Sequence, residues 1–521
     1  MPASLNLLLR TQRKSRATPW REDDRYLWFD TLQGVNTNQV ERLEQSVHGV
    51  DLATASNVLP DPLGELVTRE GFSHVRATAL TGAPAITGLF YMGPGLTDKL
   101  IIADADGDIN LDDANPPTDI AGGTDFTAGA NVLVRGEVFN DLLILVSNER
   151  NLPRTVNASG VGADLGGTPA RGLDVRAFGR RLFMASPIYS AVTYRHLVSF
   201  TSADDNQAAW TNPVTTNSLT LGRVGSNINV VGLEVYDDFL MGFTENSVFP
   251  IRSTPNATIP FNFQKDILAE DGGGPPNAHS VIKANNRLYW LSKNFDVKVM
   301  EGLDIRSVSA PKYAIQNTLK GLNNARRIYT IGFWEPKYRL ACWAVSDGSD
   351  TTNQDVIAMQ VDTGWFYFFT LSVNAACLRT VSGELRCLIG HYNGLFSNLF
   401  DGSTTGDLQT AASAIDAIFK TPRHHLGLPG IMKLTPPAIF EFDPISAETV
   451  TIRTYYDDAT SADETMTAAI SGTDIDAVEV PLTRPYDRVQ FEVEDAASGE
   501  RFRCLRYGIP RPTLTYPRKG F

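Results

Sequence analysis

The chain has 521 residues, 42% of them hydrophobic and 20% charged, with a formal net charge of −13. No run of about 18 apolar residues occurs, which excludes a transmembrane helix. The acidic balance argues against a protein that grips or reads nucleic acid through its phosphates.

The N-terminus opens with the apolar run Leu5 to Leu9, followed by Arg10, Arg13, Lys14 and Arg16. The run is too short for a signal-peptide core and its basic residues follow it, so the segment reads as an unprocessed arm that docks to a neighbour. Val40, Leu43 and Val47 recur at helical spacing and predict a short helix over Asn38 to Val47. Residues 1–80 otherwise hold little regular pattern and form an N-terminal arm and lead-in segment.

Residues 81–405 repeat one phrase: an apolar strand, a short polar turn and a second apolar-aromatic strand. The turns are Asn140-Asp141, Gly179-Arg180, Asp237-Asp238, Asn285-Asn286, Glu335-Pro336-Lys337 and Ser382-Gly383-Glu384. A looser copy runs from Leu89-Phe90-Tyr91 through Gly93-Pro94-Gly95 to Lys99-Leu100-Ile101-Ile102. Asn, Asp and Gly pairs suit the positive backbone angles of tight hairpins. The turns recur at roughly 40 to 60 residues, the period of four-stranded propeller blades. No blade buries both its faces alone, so blades stack radially and share cores. The fold expected is therefore all-β, a β-propeller of about seven blades; a tandem of two β-sandwiches is the alternative. Two long connections, Thr201 to Thr220 and Asp266 to Ala278, carry loop signals.

Beyond residue 405 the pattern changes. Ala411 to Phe419 predicts a helix, and Pro422, Pro429, Pro436 and Pro437 punctuate the next stretch. Strands are expected at Ala438 to Phe442, Thr449 to Tyr456, Ala477 to Leu482, Arg488 to Val493 and Arg501 to Tyr507, some with in-out alternation. Residues 406–521 thus read as a C-terminal β-sandwich-like domain ending in a basic, proline-rich tail, Arg511 to Lys519.

Chemistry-bearing motifs are sparse. Asp104-Ala105-Asp106-Gly107-Asp108-Ile109-Asn110-Leu111-Asp112 places oxygen ligands at alternate positions around a glycine, as calcium loops do. Its glycine falls too early for an EF-hand, and the stretch sits where a blade hairpin belongs, so a plain acidic hairpin is the competing reading. Seven histidines are scattered; the adjacent His424 and His425 read as solvent-exposed linker residues. Cys342, Cys377, Cys387 and Cys504 lack paired spacing and read as buried free thiols of a reducing compartment. No nucleophile elbow or phosphate-cradling loop is present, and Gly160-Val161-Gly162-Ala163-Asp164-Leu165 misses the dinucleotide pattern at its last position. Trp365-Phe366-Tyr367-Phe368-Phe369 has no interleaved basic residue, which favours core packing over base stacking. No catalytic, cofactor-binding or metal site is assigned, and the chain is expected not to be an enzyme.

Three passages resemble a known family. Gly34-Val35-Asn36, Asn57-Val58 and Gly64-Glu65-Leu66-Val67-Thr68-Arg69-Glu70-Gly71-Phe72 are similar to the stretch leading into the first blade of phage tail propeller proteins. Glu245-Asn246-Ser247-Val248-Phe249-Pro250-Ile251, and Ser280 to Ile305 with its Asn285-Asn286-Arg287-Leu288-Tyr289-Trp290-Leu291, resemble later blades. The family is the tail nozzle or hub of short-tailed bacteriophages, including packaged-DNA stabilisation and tail tubular B proteins. The resemblance implies a homohexameric ring in the virion tail, assembled in the host cytoplasm below the portal and its head-tail adaptor. It implies contact with tail fibre, spike or needle proteins, and double-stranded DNA as transient cargo that the ring retains and later passes. Six copies at −13 give about −78, a wall that repels phosphate. A carbohydrate- or receptor-binding propeller at a virion or cell surface is the alternative function, and a propeller glycosidase or lyase a third.

Overall fold

The computed structural model describes residues 26–510 and 514–517, apart from short internal stretches of which the longest are 36–40, 43–49, 222–227, 310–314 and 496–500. The chain is an all-β protein, a β-propeller joined to a β-sandwich. Among the described residues seven antiparallel units of four strands follow one another, the fourth with the extra strand Leu268–Ala269 and the sixth continuing into a larger sheet. The second, for example, runs Val134–Phe139, Leu142–Ser147, Arg154–Asn157 and Gly162–Asp164. First strands of neighbouring units pack together around the ring, and the fourth and fifth meet through the short 3-10 turn Ala278–Ser280. The ring closes where Ala375–Val381 of the seventh unit meets Ile86–Met92 of the first.

Local chemistry sets the hairpins. Asn140 and Asp141 have φ of 51° and 59°, Asn285 and Asn286 49° and 56°, and Gly179 and Arg180 54° and 64°. Positive φ at both central residues is the tight turn whose twist matches that of the flanking strands. The second strands of these hairpins, Leu142–Ser147, Arg181–Ala185, Phe239–Thr244 and Arg287–Leu291, start directly after the expected turns, while Leu340–Val345 starts three residues beyond its turn and Glu384–Gly390 on the last residue of its own. The cores are shared between units. Ile101, Ile109, Leu143, Leu145 and Val156 join the first and second, and Phe183, Phe200, Leu233, Phe249 and Ile251 the third and fourth. Burying a side chain of this size contributes about 1.5–3 kcal/mol, so each unit depends on its neighbour for stability.

The seventh unit is completed from far upstream. Its strands Ala375–Val381, Glu384–Gly390 and Phe396–Asn398 take Ser73–His74 as the fourth, with Ser397 opposite His74 and Asn398 opposite Ser73.

The sandwich also draws on both ends of the chain. One sheet orders Asp476–Val480, Ala438–Asp443, Arg503–Pro510, Leu66–Thr68 and Val58–Pro60, with Tyr26–Phe29 also paired to Arg503–Pro510. The other runs Glu464–Ile470, Glu448–Tyr456, Val489–Asp495, Ala417–Lys420 and Thr54–Ser56. Ser56 then pairs in parallel with Phe368, so this sheet continues into the sixth propeller unit. Within the described part of residues 1–80, Tyr26–Phe29, Thr54–Ser56, Val58–Pro60 and Leu66–Thr68 pair in the sandwich sheets and Ser73–His74 in the propeller. The sandwich strands among these are three or four residues long; Val58–Pro60 and Leu66–Thr68 pair with each other, but Tyr26–Phe29, Thr54–Ser56 and Leu66–Thr68 also pair with strands more than 300 residues away, which leaves little local pattern to read.

Two expected helices differ. Ala411 to Phe419 holds the strands Ala412–Ser413 and Ala417–Lys420, with Ala417 and Phe419 buried and Ile418 and Lys420 half-buried. Pairing on both edges overrides the helix preference of an alanine-rich stretch. Of Asn38 to Val47 only Glu41–Arg42 is described, as a strand beside Arg423–His424, and the remainder lies outside the described residues. Among the described residues no helix is long and apolar enough to cross a membrane.

Candidate functional site at the ring–sandwich junction

An extensive polar construction is buried where the lead-in crosses from sandwich to propeller. Arg69 comes directly after the Leu66–Thr68 strand and its side chain is 1% exposed. Its guanidinium donates to both carboxylate oxygens of Asp407 at 2.8 and 2.5 Å, and Nε donates to Asn57 Oδ1 at 2.9 Å. Nη1 also reaches the Glu70 carbonyl at 3.2 Å and Nη2 the Thr370 carbonyl at 3.3 Å. A guanidinium carries five N–H donors, and this one is held from four directions.

Asn57 is the second member. With φ of 55° it turns the chain through the left-handed region, which Asn tolerates better than most residues. Its Oδ1 also accepts from the Thr370 backbone N–H at 3.1 Å, and Nδ2 donates to the Asp416 carbonyl at 2.8 Å. Sandwich, sixth unit and C-terminal connection are thereby tied through two side chains. At Gly71 a Cβ would lie 2.0 Å from the Gly406 carbonyl oxygen, so only glycine fits. Phe72 is buried against His391, ring centroids 4.9 Å apart.

The closing strand is fixed by a further chain of bonds. His74 Nδ1 and His391 Nε2 lie 2.9 and 2.8 Å from Ser397 Oγ, and His391 Nδ1 lies 2.9 Å from the Ser372 carbonyl. Burial pushes the His391 imidazole down to about 4, so it is neutral at pH 7 and donates one proton only. Ser73 Oγ donates to Asp401.

Beside this junction opens a cleft of about 460 Å³, lined by Glu335, Lys337, Glu384, Arg386, Phe400 and Asp401 among others. Glu335 is 2% exposed and accepts from the backbone N–H groups of Lys337 and Tyr338 at 3.0 and 2.7 Å. Burial pushes its carboxyl up to about 7 against those N–H groups and the Lys337 ammonium. Lys337 Nζ pairs with Glu70. Several of the cleft's charges are matched within the chain, Lys337 by Glu70 and Arg386 by Glu384.

A second buried charge cluster crosses the inner wall. Arg135 of the second unit contacts Asp174 of the third at 3.1 Å, and Arg176 contacts Glu234 of the fourth at 2.9 Å. Asp174 Oδ2 accepts from the Leu233 N–H at 2.7 Å. Burial, with the neighbouring carboxylates Glu234 and Asp174, pushes Glu137 up to about 8.

The acidic stretch of the first unit is a hairpin turn. Asp104 accepts from the N–H groups of Asp106 and Asp108 at 3.0 and 3.1 Å and from the Asn110 amide at 2.8 Å, while Asp112 pairs with Arg76 at 2.5 Å. Among the described residues no group of His, Cys, Asp and Glu is arranged to hold a metal ion.

The reading of His424 and His425 as exposed is corrected: they are 5% and 4% exposed. His424 Nε2 lies 3.0 Å from Tyr507 Oη and its ring packs on Phe29, while His425 faces Asp487. The sandwich folds over the proline-punctuated segment that looked like linker. Cys342, Cys387 and Cys504 are buried and Cys377 half-buried, all four free, with burial raising every thiol. Phe366, Tyr367 and Phe369 are core residues. Residues Arg10 to Arg16 lie outside the described residues, as does most of Arg511 to Lys519; Leu514–Pro517 pairs with Ile431–Leu434.

No family model matches the sequence, and no curated protein matches it. Among solved structures, the chain is similar to a computationally designed protein, Ika8, at 11% identity and a TM-score of 0.37, over 63% of this chain and 100% of that one. It is also similar to BBS1N, solved in complex with ARL6DN, at 12% identity and a TM-score of 0.38, over 66% and 100%. At these values neither likeness bears on function.

Proposed function

We propose that this chain is a structural subunit of the tail of a short-tailed bacteriophage. It would form the nozzle or hub ring below the portal and adaptor that retains the packaged genome and passes it at ejection. The observation that carries this reading is where the resemblance falls in the fold. Asn57, Arg69, Gly71 and Phe72, residues of the lead-in passage, make up the interlock of ring, closing strand and sandwich.

Two further features support it. The propeller and sandwich share one continuous sheet through Ser56 and Phe368, which suits a subunit that bears pressure without hinging. The net charge of −13 suits a channel past which phosphate slides without sticking. The sugar-binding alternative calls for exposed aromatic side chains at loop tips; every Trp and Tyr whose side chain is described, all within residues 26–510, is buried or half-buried. Negative-stain imaging of the purified chain tests the proposal. Rings with a central hole are expected, and a field of separate monomers beside a hit on a glycan array would replace it with the receptor-binding reading.

A further inference from the structure

The Glu464–Ile470 strand ends its sheet. One edge pairs with Glu448–Tyr456, and no strand pairs with the other among the described residues. Natural sheets protect such edges with proline, lysine or a bulge. Here Glu464-Thr465-Met466-Thr467-Ala468-Ala469-Ile470 has seven residues in unbroken register and a charge only at its first position. Its side chains alternate. Met466, Ala468 and Ile470 face the sandwich core, and Thr465, Thr467 and Ala469 face solvent.

The chain contains a segment that fits this edge. Leu5-Asn6-Leu7-Leu8-Leu9 places Leu5, Leu7 and Leu9 on one face of an extended strand. Added beside Glu464–Ile470, they would continue the row of Met466, Ala468 and Ile470. Arg10, Arg13, Lys14 and Arg16 come directly after. Either strand direction brings them to acidic turns: Asp458, Asp463 and Glu464 at one end, Asp474 and Asp476 at the other. Arg423, Arg484 and Arg488 already engage Asp458 and Asp463, so the second end is the more open.

We infer that the N-terminal arm of one copy adds as a strand to the Glu464–Ile470 edge of a second copy. The 16 residues from Arg10 to Arg25 span up to roughly 50 Å when extended. A compact chain of this length has a radius of gyration of roughly 24 Å, so a neighbour is within reach. Tyr26–Phe29 lies in the facing sheet of the same sandwich, about 10 Å away, so the chain's own edge is also within reach, and sedimentation of the full chain separates the two. Each copy donates one arm and accepts one, a heterologous contact that closes into a ring when the rotation permits. The inference rests on the self-assembly part of the tail-ring reading and specifies its joint.

The test uses the full chain, a chain lacking residues 1–16, and a labelled peptide of residues 1–16. Fluorescence anisotropy should show the peptide binding the shortened chain. Affinity should fall about tenfold or more when the peptide carries L7E and L9E, or when the shortened chain carries T467K. Sedimentation of the full chain should show concentration-dependent assembly that is lost on removing residues 1–16. The peptide substitutions leave the folded body untouched, so a folding defect in T467K does not obscure the result. Failure of the peptide to bind would overturn the inference, as would equal binding of the L7E/L9E peptide. A full chain that stays monomeric while refusing the peptide would mean that the arm covers its own edge, and would overturn the second-copy assignment. Rings that persist without residues 1–16 would sink this joint and leave the ring reading standing.

Discussion

Replacing Asp407 by Asn should be among the most damaging single changes available in this chain. Arg69 and Asp407 have side chains 1% and 10% exposed, and the pair is bidentate. D407N leaves the guanidinium buried with its counter-charge gone, a situation that costs about 3–5 kcal/mol. At about 1.4 kcal/mol per decade this is a loss of roughly two to four orders of magnitude in the folding equilibrium. The double variant R69M/D407L removes both charges and should recover much of the loss, because a buried pair is often replaceable by apolar groups of similar volume. Urea unfolding followed by tryptophan fluorescence measures both, with the double-mutant cycle giving the coupling. A D407N midpoint equivalent to less than about 1 kcal/mol, or a double variant as unstable as the sum of the singles, would refute the interlock.

The other predictions address the same region. G71A should prevent stable closure, since its Cβ would sit 2.0 Å from the Gly406 oxygen; the soluble yield and melting temperature of the variant report it. His391, held down to about 4, binds fewer protons folded than unfolded, so its contribution is intact above about pH 6.5 and is lost as pH falls towards 4. Glu335, held up to about 7, works oppositely: it costs stability at neutral pH, and that cost fades as pH falls from 7 towards 4.5. Stability-versus-pH curves of H391N and E335Q should each lose one of these slopes, and unchanged curves would refute the assignments. Ellman's reagent should leave Cys342, Cys387 and Cys504 unmodified in the native chain and titrate all four thiols in urea; rapid modification of more than Cys377 without denaturant would contradict their burial.

The repeating hairpins were legible because their chemistry is local. Asn140-Asp141 and Asn285-Asn286 announce their turns, and the two strands flanking each turn pair with one another. Much of the rest depends on partners that no window spans. Ser73 and His74 complete a sheet with residues 323 or more positions away, and Arg69 meets Asp407 across 338. The arginine was visible as part of a familiar passage, yet its role as a buried brace required the fold. Ala411 to Phe419 misled because alanine favours a helix until neighbouring strands claim its backbone. His424 and His425 misled because prolines around them imitate a linker that the sandwich in fact encloses.

Native mass spectrometry of the full chain across a range of concentrations tests the central claim most directly. The account predicts a discrete species of six copies, in equilibrium with smaller assemblies on dilution. A chain that remains a single copy at every concentration would contradict it.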